Sequence, residues 1–289
     1  MTRAVAASSI ALALCCVTGL GRATEDPFTA GVPGDGRIIC GIAAHRALHL
    51  TFDDGPDEHT RRLLDTLDAR HVRATFFLVG FQLEDEAARE TAREILRRGH
   101  AIGMHSYAHH DLRPMTPRAL TVDLDRAEAL FVETFGARPH MFRAPYGRHD
   151  EHVDAALAAR GYTQVRWNLT AGDRHARTPD AVVAAFRATL DAQREAPGGE
   201  GGIVVLHDTH PWVVDAVPGI LDEIDARNCA ALASGEELWD LRDDLAEWYD
   251  PRHGARPSSP ALRMRLSPEA FDARQAELRG AAVTRCAAR

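Results

Sequence analysis

Two adjacent aspartates, Asp53 and Asp54, sit inside the run TFDDGP at 51–56, and two histidines, His105 and His109, stand four residues apart in HSYAH. Further along come Arg143 and Tyr146 in RAPYG, Asp173 in AGDR and His207 in VVLHD. Carboxylates and imidazoles are the side chains that hold divalent cations and move protons near neutral pH. Neighbouring carboxylates that point in different directions divide that work, one binding a metal while the other takes a proton from the water it activates. Imidazoles at i and i+4 share one face of a helical turn and can share one ion; with one carboxylate they leave coordination positions open for water and substrate. A guanidinium at Arg143 would orient a carboxylate base and keep it ionised, and the turn after it would expose the Tyr146 backbone N–H to a developing oxyanion. His207, its pKa raised by a carboxylate such as Asp173, would supply the proton that a leaving amide nitrogen needs.

Each signal alone has a plainer reading. The aspartates fit a helix-entry turn with solvated carboxylates, and a histidine pair arises easily among 15 histidines. Arg143 fits a surface ion pair and His207 a structural histidine. What strengthens them is placement, because each follows a short apolar run. Strands are expected over 47–52, 74–79, 101–104, 140–143, 163–167, 203–206 and 229–233, with helices over 60–71, 84–98, 117–135, 151–160, 179–194 and 213–227. Thr116-Pro117 and Thr178-Pro179 read as helix caps followed by proline in the first turn, and Gly99, Gly136 and Gly161 read as stops. Alternating strands and helices imply an α/β fold with parallel strands, closed as a barrel or open as a doubly wound sheet. In either, every C-terminal strand end faces one mouth. Residues more than a hundred positions apart then converge.

The chain of 289 residues, 45% hydrophobic, is long enough for one sizeable core. Its formal charge of −8, from 34 basic and 42 acidic residues, disfavours nucleic acid and anionic membrane surfaces as partners. Residues 1–23 have the order of a secretory signal, with Arg3, an apolar stretch at 4–20 and Gly21-Arg22-Ala23 as a small-x-small cleavage site. An uncleaved anchor, or a lipoprotein through Cys15 or Cys16, are the alternatives. The mature chain contains no other candidate membrane span. Cys40, Cys229 and Cys286 would remain, spaced too widely for a zinc knuckle. One disulfide with one free thiol and three buried thiols both fit, with the pairing open. Residues 24–46 read as a lead-in, 47–242 as the folded domain and 243–289 as a C-terminal extension, with turn-rich sequence at 250–260.

Taken together, TFDDGP at 51–56, ATFFLVG at 74–80, GHAIGMHSYAHHDL at 99–112, FRAPYG at 142–147 and VVLHD at 204–208 resemble the polysaccharide deacetylases of the NodB-homology group, carbohydrate esterase family 4. The resemblance covers most of 48–238. It implies a distorted, incomplete (β/α)7-type barrel and a metal-dependent hydrolase that removes N-acetyl groups from an amino-sugar polymer such as peptidoglycan or a chitin-like glycan. It implies roles too: Asp53 as general base, Asp54, His105 and His109 as metal ligands, Arg143 holding Asp53, Tyr146 giving its backbone N–H to the oxyanion, and His207 as general acid tuned by Asp173. The metal implied is divalent, zinc foremost, with cobalt, nickel or iron compatible. An O-acetyl esterase acting on acetylxylan and a non-catalytic glycan-binding relative are the competing readings. At 173–174 the family pattern resembles Asp-Trp, whereas this chain has Asp173-Arg174. A cationic wall there suits an anionic or peptide-bearing glycan better than plain chitin. His110 stands where relatives often have proline, and His100, His175 and His210 are read as structural or rim residues.

Overall fold

The computed structural model describes residues 28, 34, 36–39, 41–43, 45–194, 201–242, 245 and 267–288. The signal reading at 1–23, the alternatives at Cys15 and Cys16, Cys40 and the link at 250–260 lie outside them. Ten strands form one sheet: β1 Ile38–Ile39, β2 Ile42–Ala43, β3 Ala47–Asp53, β4 Thr75–Leu78, β5 Ala101–Met104, β6 Met141–Phe142, β7 Thr163–Val165, β8 Leu169–Thr170, β9 Gly201–His207 and β10 Asp240–Leu241. The helices are α1 Thr60–Ala69, α2 Glu86–Arg97, α3 Pro117–Phe135, α4 Glu151–Ala159, α5 Pro179–Arg194, α6 Pro211–Ser234 and α7 Pro268–Ala287. Along the sheet the order is β1-β7-β6-β5-β4-β3-β9-β2, with β8 also on β9 and β10 on β3. All pairings are parallel except β2 with β9.

This is the incomplete (β/α) barrel expected, and its inside is set by strand alternation. Successive side chains of a strand point to opposite faces. Phe76, Phe142 and Val204 pack outward under the helices, while Phe77, Met141, Val165 and Ile203 join Ile39 and Ala47 in a second, inner core. Gly103 belongs to that inner phase for a steric reason: a Cβ there would come within 2.5 Å of the Phe77 ring, so the absence of a side chain makes room for the phenyl group. Every residue of β3 and β9 is buried. Strands covered on both faces need such continuous apolar runs, which explains why these two read clearly from sequence.

The barrel wall parts beyond β7, where the chain turns through Trp167 into β8. β1 and β2 lie on either side of that seam. β1 lies along β7, with Gln164 donating to Arg37 O at 2.8 Å, and β2 lies against the start of β9, with Ile203 donating to Gly41 O at 3.0 Å. Asn168 fastens the junction, accepting from Ile203 N–H at 2.9 Å and donating to Gly201 O at 3.1 Å. Part of the segment read as a lead-in therefore belongs to the sheet.

Helix ends follow the expected chemistry. Thr116 caps α3 through Ala119 N–H with Pro117 in the first turn, and α3 stops at Gly136, whose φ of 80° is a left-handed conformation that glycine adopts without strain. Thr178 accepts from Ala181 N–H at 3.3 Å at the start of α5. One element differs: 229–233 is not a strand but the last part of α6, which runs on to Ser234. The alanines at 230, 231 and 233 are strong helix formers, and the short apolar run carried no period that distinguished the two states. The strand expected there comes after Gly235, as β10, paired with Ala47 and Leu48. Asn228 holds this return by accepting from Trp239 N–H at 2.6 Å and donating to Trp239 O at 2.9 Å.

The tail forms α7, which docks on α6 through Ala231, Leu238 and Ala282 and through Gln275, whose side-chain amide pairs with both backbone groups of Leu238. A disulfide between Cys229 and Cys286 fixes it, which settles the pairing that the sequence left open. Among the described residues, no helix is long and apolar enough to cross a membrane. The bond closes a loop across a sequence separation of 57, so its loss should free the unfolded chain. Cys229→Ser is expected to cost about 2–4 kcal/mol, lowering the thermal midpoint by about 5–10 °C in a calorimetric scan. Reductant should shift the wild type alike and leave the variant unmoved.

Candidate active site

The same alternation that fills the barrel floor builds the mouth. On β3 the inward phase runs Ala47, His49, Thr51, Asp53; on β5 it leads to His105, after β6 to Arg143, and on β9 to His207. Asp53 and His207 are register partners on adjacent strands. A floor of Phe77, Met141 and Ile203 thus gives way upward to Thr51, Arg143, Asp53 and His105.

Arg143 lies wholly buried across that boundary. Its guanidinium stacks over the Phe77 ring at 4.0 Å and the Trp167 ring at 5.4 Å. From there Nη1 donates to Asp53 Oδ1 at 2.6 Å and to Thr51 Oγ1 at 2.7 Å, while Nε donates to Val165 O at 3.0 Å. A buried carboxylate is stable in its ionised form only with such a partner. The pairing occupies one oxygen of Asp53 and leaves Oδ2 facing the mouth, 3.8 Å from His105 Nε2.

Asp54 would alternate away from the mouth if the strand continued. Instead its φ is 79°, a left-handed turn that aspartate tolerates better than most residues. That turn brings Asp54 Oδ1 to 3.1 Å from His109 Nε2 and 3.5 Å from His105 Nε2. The loop behind is closely packed: a Cβ on Gly55 would come within 2.5 Å of Asp208 Oδ2, an oxygen that also accepts from Thr60 Oγ1 at 2.5 Å. Burial pushes the Asp208 carboxyl up to about 7, with the charges of Asp57 and Asp54 adding to the rise against the Thr60 hydrogen bond.

The two histidines converge, but not through a helical turn. Ser106 and His109 both have left-handed φ, 64° and 53°, and Ser106 Oγ accepts from His109 N–H at 3.0 Å, so a tight loop folds the second imidazole back over the first. Their ring centres lie 4.9 Å apart. His105 Nδ1 is 2.6 Å from Arg143 O; a carbonyl only accepts, so Nδ1 carries the proton and Nε2 presents its lone pair. Burial holds both imidazoles below their ordinary pKa, in the neutral form that ligates metals. Asp54, His105 and His109 each offer a ligand atom within 4.8 Å of the other two. Among the described residues Asp54 Oδ1, though buried, has no hydrogen-bond donor. A carboxylate oxygen and two imidazole lone pairs facing one point repel unless a cation lies between them, so these residues fit a divalent metal.

Opposite stands His207, whose Nδ1 donates to Asp173 Oδ2 at 2.7 Å. Burial opposes its charged form, but the Asp173 hydrogen bond and the charges of Asp173, Asp53 and Asp54 outweigh it, lifting the pKa to about 9. Trp212 Nε1 donates to the Asp173 backbone carbonyl at 3.4 Å and braces the loop that carries this carboxylate. Tyr146 takes φ 60° inside the turn after Pro145 and places its ring 4.6 Å from that of His109, 40% exposed at the mouth.

All eight residues singled out in the sequence therefore face one mouth. Thr51, Trp167, Asp208 and Trp212 were not among them; Thr51 was accessible by counting two back from Asp53 on the inward phase, whereas the others depend on loop packing. His100 is structural: its Nδ1 accepts from Ala74 N–H at 3.2 Å, and burial lowers its pKa to about 4. His210 stacks on Trp212 at 4.7 Å, on the rim.

A parallel α/β half-barrel carrying an Asp-His-His cluster that could hold a metal, a clamped aspartate and a carboxylate-backed histidine at its strand ends has the architecture of a hydrolase. The comparisons narrow that class. A family profile described as polysaccharide deacetylase matches residues 42–165. The chain is 30% identical over 215 residues to a peptidoglycan-N-acetylglucosamine deacetylase of Bacillus cereus, covering 72% of this chain and 75% of that one. It is also 30% identical over 224 residues to a chitin deacetylase of Arthroderma benhamiae, covering 75% of this chain but 57% of the relative, so it spans little more than half of that protein. Its fold matches the structure of the chitin deacetylase of Colletotrichum lindemuthianum with a TM-score of 0.60 and 28% identity, over 67% of this chain and 87% of the other. The chain belongs to the polysaccharide deacetylase family.

The His207–Asp173 pair yields a titration. Asp173→Asn removes the charge that stabilises imidazolium, so the His207 pKa is expected to fall from about 9 towards the ordinary value of about 6.5 or below. Imidazole NMR chemical shifts of the metal-free protein over a pH series measure this. Because the folded value is the higher one, the pair's contribution to stability is full below the unfolded value of about 6.5 and is lost as pH rises through about 9. A variant whose His207 titrates as in the wild type would contradict the assignment.

Proposed function

We propose that this protein hydrolyses the N-acetyl group of an amino-sugar polymer. One observation carries the reading: the Asp54-His105-His109 cluster, the Arg143–Asp53 pair and the Asp173–His207 pair meet at a single mouth. The relatives named as chitin and peptidoglycan deacetylases support the same chemistry.

In this reading Asp54 Oδ1, His105 Nε2 and His109 Nε2 hold a divalent ion, with zinc favoured by a mixed oxygen and nitrogen set. When bound, the ion polarises the acetyl carbonyl and lowers the pKa of water at the site. Asp53 acts as general base through Oδ2, taking a proton from the water that attacks the carbonyl carbon, while Arg143 keeps the carboxylate ionised and in place. The Tyr146 backbone N–H, presented by its left-handed turn, stabilises the oxyanion. His207, protonated at neutral pH and oriented by Asp173, delivers its Nε2 proton to the departing nitrogen. The C–N bond breaks, and acetate and a free amino sugar result. An amide nitrogen leaves only when protonated, so a histidine held charged favours N-acetyl over O-acetyl substrates. The disulfide accords with an exported protein, since such bonds persist in oxidising compartments.

Acetate release from chitooligosaccharides, peptidoglycan and acetylxylan tests the reading. Release from the first two, abolished by a chelator and restored by zinc, is the expected result; release from acetylxylan alone would sink the N-acetyl assignment. Asp53→Asn and His207→Ala should each lower kcat by about 10²-fold or more while leaving zinc binding intact. Wild-type rates in either variant would overturn the mechanism.

A further inference from the structure

The loop that supplies Asp173 also supplies two arginines, and neither has a carboxylate partner among the described residues. Arg174 follows Asp173 directly and places its guanidinium 5.6 Å from the centre of the exposed Tyr146 ring. Arg177 places its own 5.3 Å from the Trp212 ring and donates only to the carbonyls of Arg174 and Ala176. A third cation, Arg148, lies 5.4 Å from the same Tyr146 ring. Its carboxylate partner, Asp111, is shared: Arg113 Nη2 donates to it at 2.6 Å and Arg148 Nη1 at 3.2 Å. Three guanidinium groups, those of Arg174, Arg177 and Arg148, thus lie against the aromatic rings on this side of the mouth, in a chain whose net charge is −8.

Many arginines elsewhere pair with acids. Arg61, Arg70, Arg98, Arg160, Arg187 and Arg227 each meet an aspartate or glutamate within 3.1 Å. Arg174 and Arg177 have no such partner among the described residues and lie against aromatic rings at the mouth instead. Tyr146 also touches the candidate metal site, with its ring 4.6 Å from His109, so a group bound at Arg174 lies close to the reacting sugar. Exposed aromatic faces suit the apolar faces of sugar rings. Guanidinium forks beside them suit a carboxylate, because two parallel N–H donors match its two oxygens.

Resting on the deacetylase reading above, we infer that Arg174 and Arg177 select N-acetylated glycans that carry a carboxylate near the reacting sugar, rather than a neutral polymer. A lactyl ether or short peptide on the next sugar supplies such a group; a uniform N-acetylglucosamine chain has none. The two arginines are specificity residues, acting on binding and not on the bond that breaks.

The test compares three substrates with the full chain loaded with zinc: peptidoglycan glycan fragments with free carboxyl groups, the same fragments after conversion of those groups to methyl esters, and chitotetraose. Acetate release gives kcat and KM at low and high salt. The free-acid fragments are expected to be preferred over their esters by roughly tenfold or more, chiefly through KM, with the preference shrinking as salt rises. Arg174→Gln should reduce that ratio several-fold, and Arg174→Gln with Arg177→Gln should bring it close to one. Equal rates on acid and ester, or a ratio that survives the double substitution, would overturn the inference while leaving the deacetylase reading in place. Absence of acetate from all three glycans would instead overturn the deacetylase reading, and the inference with it.

Discussion

The structure depends on one buried ion pair. Arg143 and Asp53 meet at 2.6 Å with almost no solvent contact, and neither charge is sustainable alone in that interior. The surroundings answer this constraint: Phe77 and Trp167 give the guanidinium flat apolar faces, Thr51 and the Val165 carbonyl accept from Nη1 and Nε, and the Arg143 carbonyl fixes the tautomer of His105. One arginine thereby links the floor of the barrel to the proposed base and, through its own backbone, to one proposed metal ligand. Removing its side chain would strand a buried carboxylate, so stability and chemistry are expected to fail together at this position.

Around that pair the site separates two proton affinities. His105 and His109 are kept neutral by burial, whereas His207, also largely enclosed, is kept charged by the carboxylate against its ring. Three imidazoles in one mouth thus take two protonation states near neutral pH, and the difference comes from their hydrogen-bond partners. A backbone carbonyl orients His105 without adding a full charge; Asp173 both orients His207 and charges it.

Much of this was legible in the sequence because parallel strands carry a strict parity. Once 47–52, 74–79, 101–104 and 203–206 are strands, Asp53, His105 and His207 fall at the same ends, and convergence follows from topology. The structure departs from the reading where backbone conformation decides the outcome. Asp54, Ser106, His109 and Tyr146 all have positive φ, and nothing in their residue types announces it. The histidine pair therefore looked helical by spacing but is held by a loop. Residues 229–233 were misread because an apolar, alanine-containing run has no period of its own. Asp208 escaped notice because its importance lies in the side chain that Gly55 lacks.

The strands at the seam have a consequence in time. Ile38 and Ile39 pair with Gln164 and Val165, and Ile42 and Ala43 with Gly202 and Gly201, all more than a hundred positions downstream. β3 and β9, which border the mouth, are likewise joined only across that distance. The earliest strands of the chain must wait for some of the latest before they have hydrogen-bond partners. Closure of such long loops is entropically costly and slow. A polypeptide released segment by segment, as in synthesis or export, can assemble the consecutive β3-to-β7 wall first, but this barrel shuts only after β9 has arrived.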